Sequence, residues 1–108
     1  MADSRGNIWI ASYSGNPVVC YNPADGEIVS FSTESGLCND RARVLAELQD
    51  GSVAVGTQGG LSIIAEGKIQ ESYTDFAYPT LLSLLEMPDG TLLAGSDGGG
   101  IYVLKDGG

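Results

Sequence analysis

The sequence predicts an all-β chain: a β-propeller fragment of about two and a half four-stranded antiparallel blades. Three observations carry this. The segments GNIWIAS (6–12), GSVAVGT (51–57) and GTLLAGS (90–96) are near copies, led by glycines 45 and then 39 residues apart, and periods of roughly 20–50 residues mark repeat architectures. The runs between them are short, rich in apolar and β-branched residues, and bounded by Asp-Gly, Glu-Gly and Gly-Gly turns, which predicts strands and hairpins rather than helices. The heart of each copy, Ile8-Trp9-Ile10, Val53-Ala54-Val55 and Leu92-Leu93-Ala94, is apolar at every position, the pattern of a strand covered on both faces.

The elements follow in order. In the first unit, strands are expected at Ile8 to Ser12, Val18 to Asn22 and, after the Asp25-Gly26 turn, Glu27 to Ser32. No strand precedes Gly6, so this blade (1–33) is partial. The second unit (34–74) is complete: Arg43 to Leu48, the turn Gln49-Asp50-Gly51, Ser52 to Thr57, the turn Gln58-Gly59-Gly60, Leu61 to Ala65, the turn Glu66-Gly67, and Lys68 to Tyr73. Asp-Gly is read here as a two-residue hairpin turn with both residues at positive φ. The third unit (75–108) is partial again: Leu81 to Met87, the Asp89-Gly90 turn, Thr91 to Ser96 and Ile101 to Leu104, stopping at Asp106-Gly107-Gly108 where a turn into a fourth strand belongs.

A sheet with two apolar faces cannot bury both alone, so neighbouring blades must cover each other. The matched positions Trp9, Ala54 and Leu93 imply that each gap is filled differently. Gly56 and Gly95, with Ala11 in the first copy, mark a slot of close backbone approach. The two end faces would stay uncovered, and apolar patches of that size drive association. An oligomer, or a piece of a longer propeller, is therefore expected, with neighbouring blades or self-association through blade faces as the partner.

Composition excludes several classes. The chain has 108 residues, 43% of them apolar, and a net charge of −9. Its five bases, Arg5, Arg41, Arg43, Lys68 and Lys105, are dispersed, so no basic surface for nucleic acid forms. No apolar run is long enough to insert in a membrane, and Met1 to Arg5 shows no signal-peptide core. Without histidine, Ser-His-Asp and Cys-His catalysis are impossible. Two cysteines do not make a conventional zinc site, and no cofactor or metal is expected. Cys20 reads as a small buried hydrophobe and Cys38 lies in a polar stretch; their pairing stays open. Asp25, Asp50, Asp89 and Asp106 precede glycines and read as turn residues. Gly98-Gly99-Gly100 precedes a strand and lacks the Lys-Ser/Thr of a phosphate loop.

Trp9, Tyr21, Phe31 and Tyr102 lie inside strands and are expected in the core, while Tyr13, Tyr73, Phe76 and Tyr78 lie at loops or strand ends. In a propeller the loops entering the first strand of each blade share a rim with the loops joining the second and third strands. That rim gathers Tyr13, Asn16, Asn39, Asp40, Arg41, Arg43, Gln58, Asp75, Tyr78 and Asp97, with Glu34 beside them, as candidate ligand-binding residues. Aromatic rings beside amides and carboxylates suit sugars, whose C–H faces stack while hydroxyls hydrogen-bond. The competing expectation is that Arg41 and Arg43 simply pair with Asp40 or Glu47.

The segment ESGLCNDRARVLAELQDGSVAVGTQGGL (34–61) resembles the two-component regulator propeller repeat: Gly-Leu, a polar stretch, an apolar strand, Asp-Gly, and a strand ending in Gly-Thr before glycines. Asp3 to Ser12 matches the second half of that pattern closely and Pro88 to Gly100 more loosely; tryptophan is absent from the second and third copies. The resemblance implies a non-catalytic segment of the extracytoplasmic, periplasmic sensor region of a membrane-bound bacterial regulator. Histidine kinases, hybrid kinases and diguanylate cyclases carry such repeats, and some gut bacterial relatives sense polysaccharide fragments. The alternatives are a propeller-type lyase or hydrolase with a carboxylate-based site, and a structural interaction scaffold.

Overall fold

The computed structural model describes residues 1–13 and 17–104. These form three antiparallel sheets. The first contains β1 (Ile8–Ala11), β2 (Val18–Asn22) and β3 (Glu27–Phe31). The second contains β4 (Ala42–Glu47), β5 (Val53–Thr57), β6 (Gly60–Ala65) and β7 (Lys68–Tyr73). The third contains β8 (Leu81–Glu86), β9 (Leu92–Ser96) and β10 (Ile101–Leu104). In each sheet, strands adjacent in sequence pair with one another, so every sheet is a meander. One 3₁₀ turn, Thr33–Ser35, is the only helical element among the described residues.

The first sheet is less truncated than its sequence suggests. Ala2 bridges Ile8, the Trp9 amide donates to the Met1 carbonyl at 2.7 Å, and the Met1 ammonium donates to the Trp9 carbonyl at 2.8 Å. Two residues thus stand where an opening strand would run.

The Asp-Gly turns also differ from expectation. Asp50 and Asp89 keep negative φ; only the following Gly51 and Gly90 are left-handed, at φ 89° and 90°. Gly51 donates to the Leu48 carbonyl at 2.9 Å and Leu48 to the Ser52 carbonyl at 2.8 Å, a type I turn closed by a left-handed glycine. Met87 to Thr91 repeats these bonds at 2.9 and 2.7 Å, with Pro88 at the position that favours proline. Aspartate fits there because its carboxylate accepts the amide two residues on: Asp50 from Ser52 and Asp89 from Thr91, both at 2.9 Å. The two-residue turn with both residues at positive φ is found instead at Glu66 and Gly67, at 54° and 74°.

The sheets pack face to face, with apolar layers between them. Trp9, Val18, Phe31, Val53, Val55 and Ile64 fill the gap between the first and second sheets. Ala54, Leu61, Leu81, Leu92 and Ala94 fill the gap between the second and third. β5 therefore sends Val53 and Val55 one way and Ala54 the other, and all three are buried, as its unbroken apolar run requires. Trp9 lies in the first of these gaps and stacks on Phe31 with centroids 5.8 Å apart and planes 17° apart. In the second gap Gly56 is needed: a Cβ there would lie 2.5 Å from Val44 Cγ1 and 3.2 Å from Leu81 Cβ of the next sheet.

Tyr21 departs from its expected core position. It pairs with Ile8 and Ile28 on the outer face of the first sheet and is 38% exposed. Cys20, on the opposite face, is half-buried rather than fully buried, and both cysteines are free thiols.

Candidate functional site

The bonds that stitch the sheets together also bring most of the predicted rim into line. The Ala42 amide donates to the Ser12 carbonyl at 3.1 Å, setting the start of β4 against the end of β1. One residue further on, β4 carries an irregularity between Ala42 and Val44, which leaves Arg43 exposed with its guanidinium 5.3 Å from the centroid of the Tyr13 ring. The Gln58 amide donates to the Arg41 carbonyl at 3.0 Å, and the Arg41 amide donates to Asn39 Oδ1 at 2.8 Å. Asn39 packs so closely on Gly59 that a Cβ on that glycine would sit 2.9 Å from it.

The third sheet joins through Thr80, which sequence reasoning did not single out. Its hydroxyl donates to the Gln58 carbonyl at 3.4 Å, and its carbonyl accepts from the Asp97 amide at 2.8 Å. Tyr78 lies along Gly98 and Gly99, where an added Cβ would come within 3.4 and 2.6 Å of its ring. The Tyr78 amide donates to Tyr102 Oη at 2.9 Å, and Tyr102 is held by Phe76 at 4.8 Å between centroids. Through the intervening Ala42, Thr80 and Gly98, these bonds set Tyr13, Arg43, Arg41, Asn39, Gln58, Asp97 and Tyr78 along one end of the strands.

Three predicted residues stand apart. The Asp40 carboxylate is engaged by the Thr33 amide at 2.9 Å and the Thr33 hydroxyl at 3.1 Å, so it closes its own loop. Asp75 is exposed and forms no hydrogen bond or ion pair with the others. Asn16 lies outside the described residues. Arg41 and Arg43 pair with neither Asp40 nor Glu47; among the described residues the ion pair formed is Arg5 with Asp3, at 3.7 Å.

A cleft of about 540 Å³ opens at the other end of the strands, between the first two sheets. Trp9, Val29 and Cys20 lie at its floor, and Arg5, Glu27, Asp50 and Glu66 at its mouth. Beneath it the Asp3 carboxylate accepts from Trp9 Nε1 at 2.8 Å and from the amides of Arg5 and Asn7, both at 2.9 Å. Burial pushes the Asp3 carboxyl up, but the bonds from Trp9, Asn7 and Arg5 outweigh it and hold the group below its ordinary 3.8. The Ser52 hydroxyl and amide lower Asp50 in the same direction. Asp3 therefore fixes the turn and orients the indole. Asp3 does not directly precede a glycine and so carries no Asp-Gly turn signal; the signal for its role is its spacing to Gly6 and Trp9. Among the described residues no three acids and cysteines are grouped to hold a metal ion.

No family model matches the chain, and no curated protein matches it in sequence. In fold it is similar to virginiamycin B lyase from Staphylococcus aureus, with a TM-score of 0.80 at 21% identity over 100% of this chain and 37% of that one. It is similar as well to the extracellular domain of a hybrid two-component system from B. thetaiotaomicron, with a TM-score of 0.74 at 16% identity over 98% of this chain and 15% of that one. A third similar structure is the extracellular domain of a one-component system from B. thetaiotaomicron, with a TM-score of 0.76 at 21% identity over 97% of this chain and 14% of that one. The likeness is one of fold, a propeller-like row of antiparallel sheets. The chain spans less than two fifths of each of these proteins. No described helix is long and apolar enough to cross a membrane.

Proposed function

We propose that the chain is a β-propeller segment of the extracytoplasmic sensor region of a bacterial two-component regulator, and that its rim takes part in binding a small ligand of the oligosaccharide class. The observation that carries the reading is the match of nearly the whole chain to extracellular domains of two regulatory systems. The rim agrees in chemistry: Tyr13 and Tyr78 offer ring faces, while Asn39, Arg41, Arg43, Gln58 and Asp97 offer donors and acceptors, all on loops over rigid sheets. On this reading the chain itself catalyses nothing, and its location is periplasmic. The likeness to virginiamycin B lyase supports a second reading, a propeller-type lyase, which ranks lower because the chain has no histidine to serve as acid or base near neutral pH.

The test is a titration of neutral and acidic oligosaccharides into the isotopically labelled chain, followed by amide chemical shifts. Shifts should gather at residues 39–43, 58, 78 and 97. Tyr13→Ala and Arg43→Ala should each weaken binding about tenfold, equivalent to roughly 1.4 kcal/mol. Absence of binding across the panel, or shifts confined to the Trp9 cleft, would refute the rim assignment.

A further inference from the structure

The cleft between the first and second sheets differs in chemistry from the rim at the opposite end of the strands. Its walls are the facing sides of two sheets within the chain, not an outer face. Its volume of about 540 Å³ falls in the range that holds a single small molecule, roughly 300–1,000 Å³. The floor is apolar, with Trp9, Val29, Phe31, Ile64 and Cys20. The indole offers no donor there, because Trp9 Nε1 already donates to Asp3 at 2.8 Å. Among the described residues no buried side-chain nitrogen or oxygen lacks a hydrogen-bond partner. The floor therefore suits a hydrocarbon or aromatic body and has little to give a hydroxylated one.

The mouth is acidic. Glu27, at the start of β3, stands on one wall, and Glu66, in the turn between β6 and β7, stands on the other. Both are exposed, and among the described residues neither carboxylate forms a hydrogen bond or an ion pair. Asp50 adds a third carboxylate, engaged on one oxygen by Ser52. The base in the lining, Arg5, is already committed: its guanidinium donates to the Gly51 carbonyl at 2.9 Å and lies 3.7 Å from Asp3. An adjoining hollow of about 310 Å³ shares Asp50 and Glu66 and brings in Glu71. A cleft lined by one sign of charge concentrates ions of the other sign.

We propose that this cleft is a binding site for a small organic cation, with an ammonium group held between Glu27 and Glu66 and an aromatic or aliphatic body laid against Trp9, Val29 and Phe31. Burial of the body supplies the affinity, and the carboxylates supply the selection by charge. An anion of the same shape is repelled at the mouth. An oligosaccharide finds no free donor at the floor, so the cleft and the rim select different ligands. The site stands whether or not the rim binds sugars.

Trp9 is the sole tryptophan of the chain, so its emission reports on the cleft directly. The experiment titrates the full chain with phenylbutylamine, and with the neutral phenylbutanol and the anionic phenylbutyrate, which keep the body and change the charge. The amine should bind most tightly and the carboxylate most weakly, and added salt should weaken the amine. Glu27→Gln with Glu66→Gln should weaken the amine about tenfold, the size expected of two exposed charge contacts, and leave the alcohol unchanged. Amide shifts induced by the amine in the isotopically labelled chain should gather at residues 5, 20, 27, 29 and 66 and spare residues 39–43. Circular dichroism checks the folding of the double variant; if it is perturbed, the salt dependence of the wild-type amine titration carries the same test. A Trp9 emission that does not respond to the amine, equal affinity for the three probes, amine binding untouched by the double variant or by salt, or shifts gathered at the rim would each overturn the inference.

Discussion

Glu47 on β4 grips Ser4 in the turn of the neighbouring sheet with both carboxylate oxygens. The Ser4 amide donates to Oε1 at 2.9 Å and to Oε2 at 3.1 Å, and the Ser4 hydroxyl donates to Oε2 at 2.6 Å. One repeat later Glu86 accepts from the Gln49 amide at 2.7 Å. These bonds are exposed, so each should contribute less than the roughly 1.5–3 kcal/mol of a bond to a charged group, about 1 kcal/mol. Glu47→Ala should lower the melting temperature by about 4–8 °C, the shift expected per kcal/mol in a domain of this size. Glu47→Ala with Glu86→Ala should roughly double the loss, because the sites are in separate junctions. Calorimetry showing no change for either variant would remove the clamps from the account of stability.

Asp3 predicts the acid response. Its carboxyl is held below its ordinary 3.8 in the folded chain by Trp9, Asn7 and Arg5 despite the opposing pull of burial. A depressed native value means that the stabilisation is fully present above the ordinary value and is lost as pH falls through the native one. Stability should therefore drop between about pH 5 and pH 3. In Asp3→Asn this component of the drop should be absent, on top of a loss at pH 7 of about 2–3 kcal/mol from the weakened donors. Urea midpoints measured at pH 7, 5, 4 and 3 check this; parallel pH profiles for the two proteins would contradict it.

Gly56 and Gly95 occupy the same register but should respond differently to alanine. At Gly56 the new Cβ meets Val44 Cγ1 at 2.5 Å and Leu81 Cβ at 3.2 Å, and the stiff valine and the adjoining sheet must both shift. Overpacking of that kind costs about 1–3 kcal/mol. At Gly95 the near neighbour is Ser83 Oγ at 2.5 Å, an exposed hydroxyl that can rotate away. Gly56→Ala should melt lower than Gly95→Ala; equal melting temperatures would mean that the sheets do not approach as closely at Gly56 as described.

Strands were legible because each is a short apolar run cut by Gly-containing turns. The reading was weaker wherever it depended on which sheet covers which face. Trp9 and Tyr21 lie in paired strands of the same sheet and both read as core, yet Trp9 pairs with Cys20 on the covered face and Tyr21 with Ile8 on the open one. That distinction follows from which face the second sheet covers, not from local pattern. The rim was legible as far as it depends on loops sharing one end of the strands. Thr80 was not, since its role is to join Gln58 to Asp97 through backbone groups. The Trp9 cleft was hidden for a similar reason: it is lined by residues of two sheets, and no local pattern encodes how they meet.

Tyr102 supports the predicted rim from behind, and removing its hydroxyl should loosen Tyr78 without disturbing the core. Tyr102 Oη accepts the Tyr78 amide at 2.9 Å, while its ring packs on Phe76. Tyr102→Phe keeps the ring and deletes the acceptor. The stability cost should be about 1 kcal/mol, because the freed amide can turn to water at this exposed position. The local effect should be larger: exchange of the Tyr78 amide should quicken far more than that of Val55, which lies in the buried β5. Hydrogen exchange followed by NMR measures both. Equal acceleration at Tyr78 and Val55 would mean that the hydroxyl stabilises the whole fold and not the loop, and an unchanged Tyr78 amide would show that the bond does not position the loop.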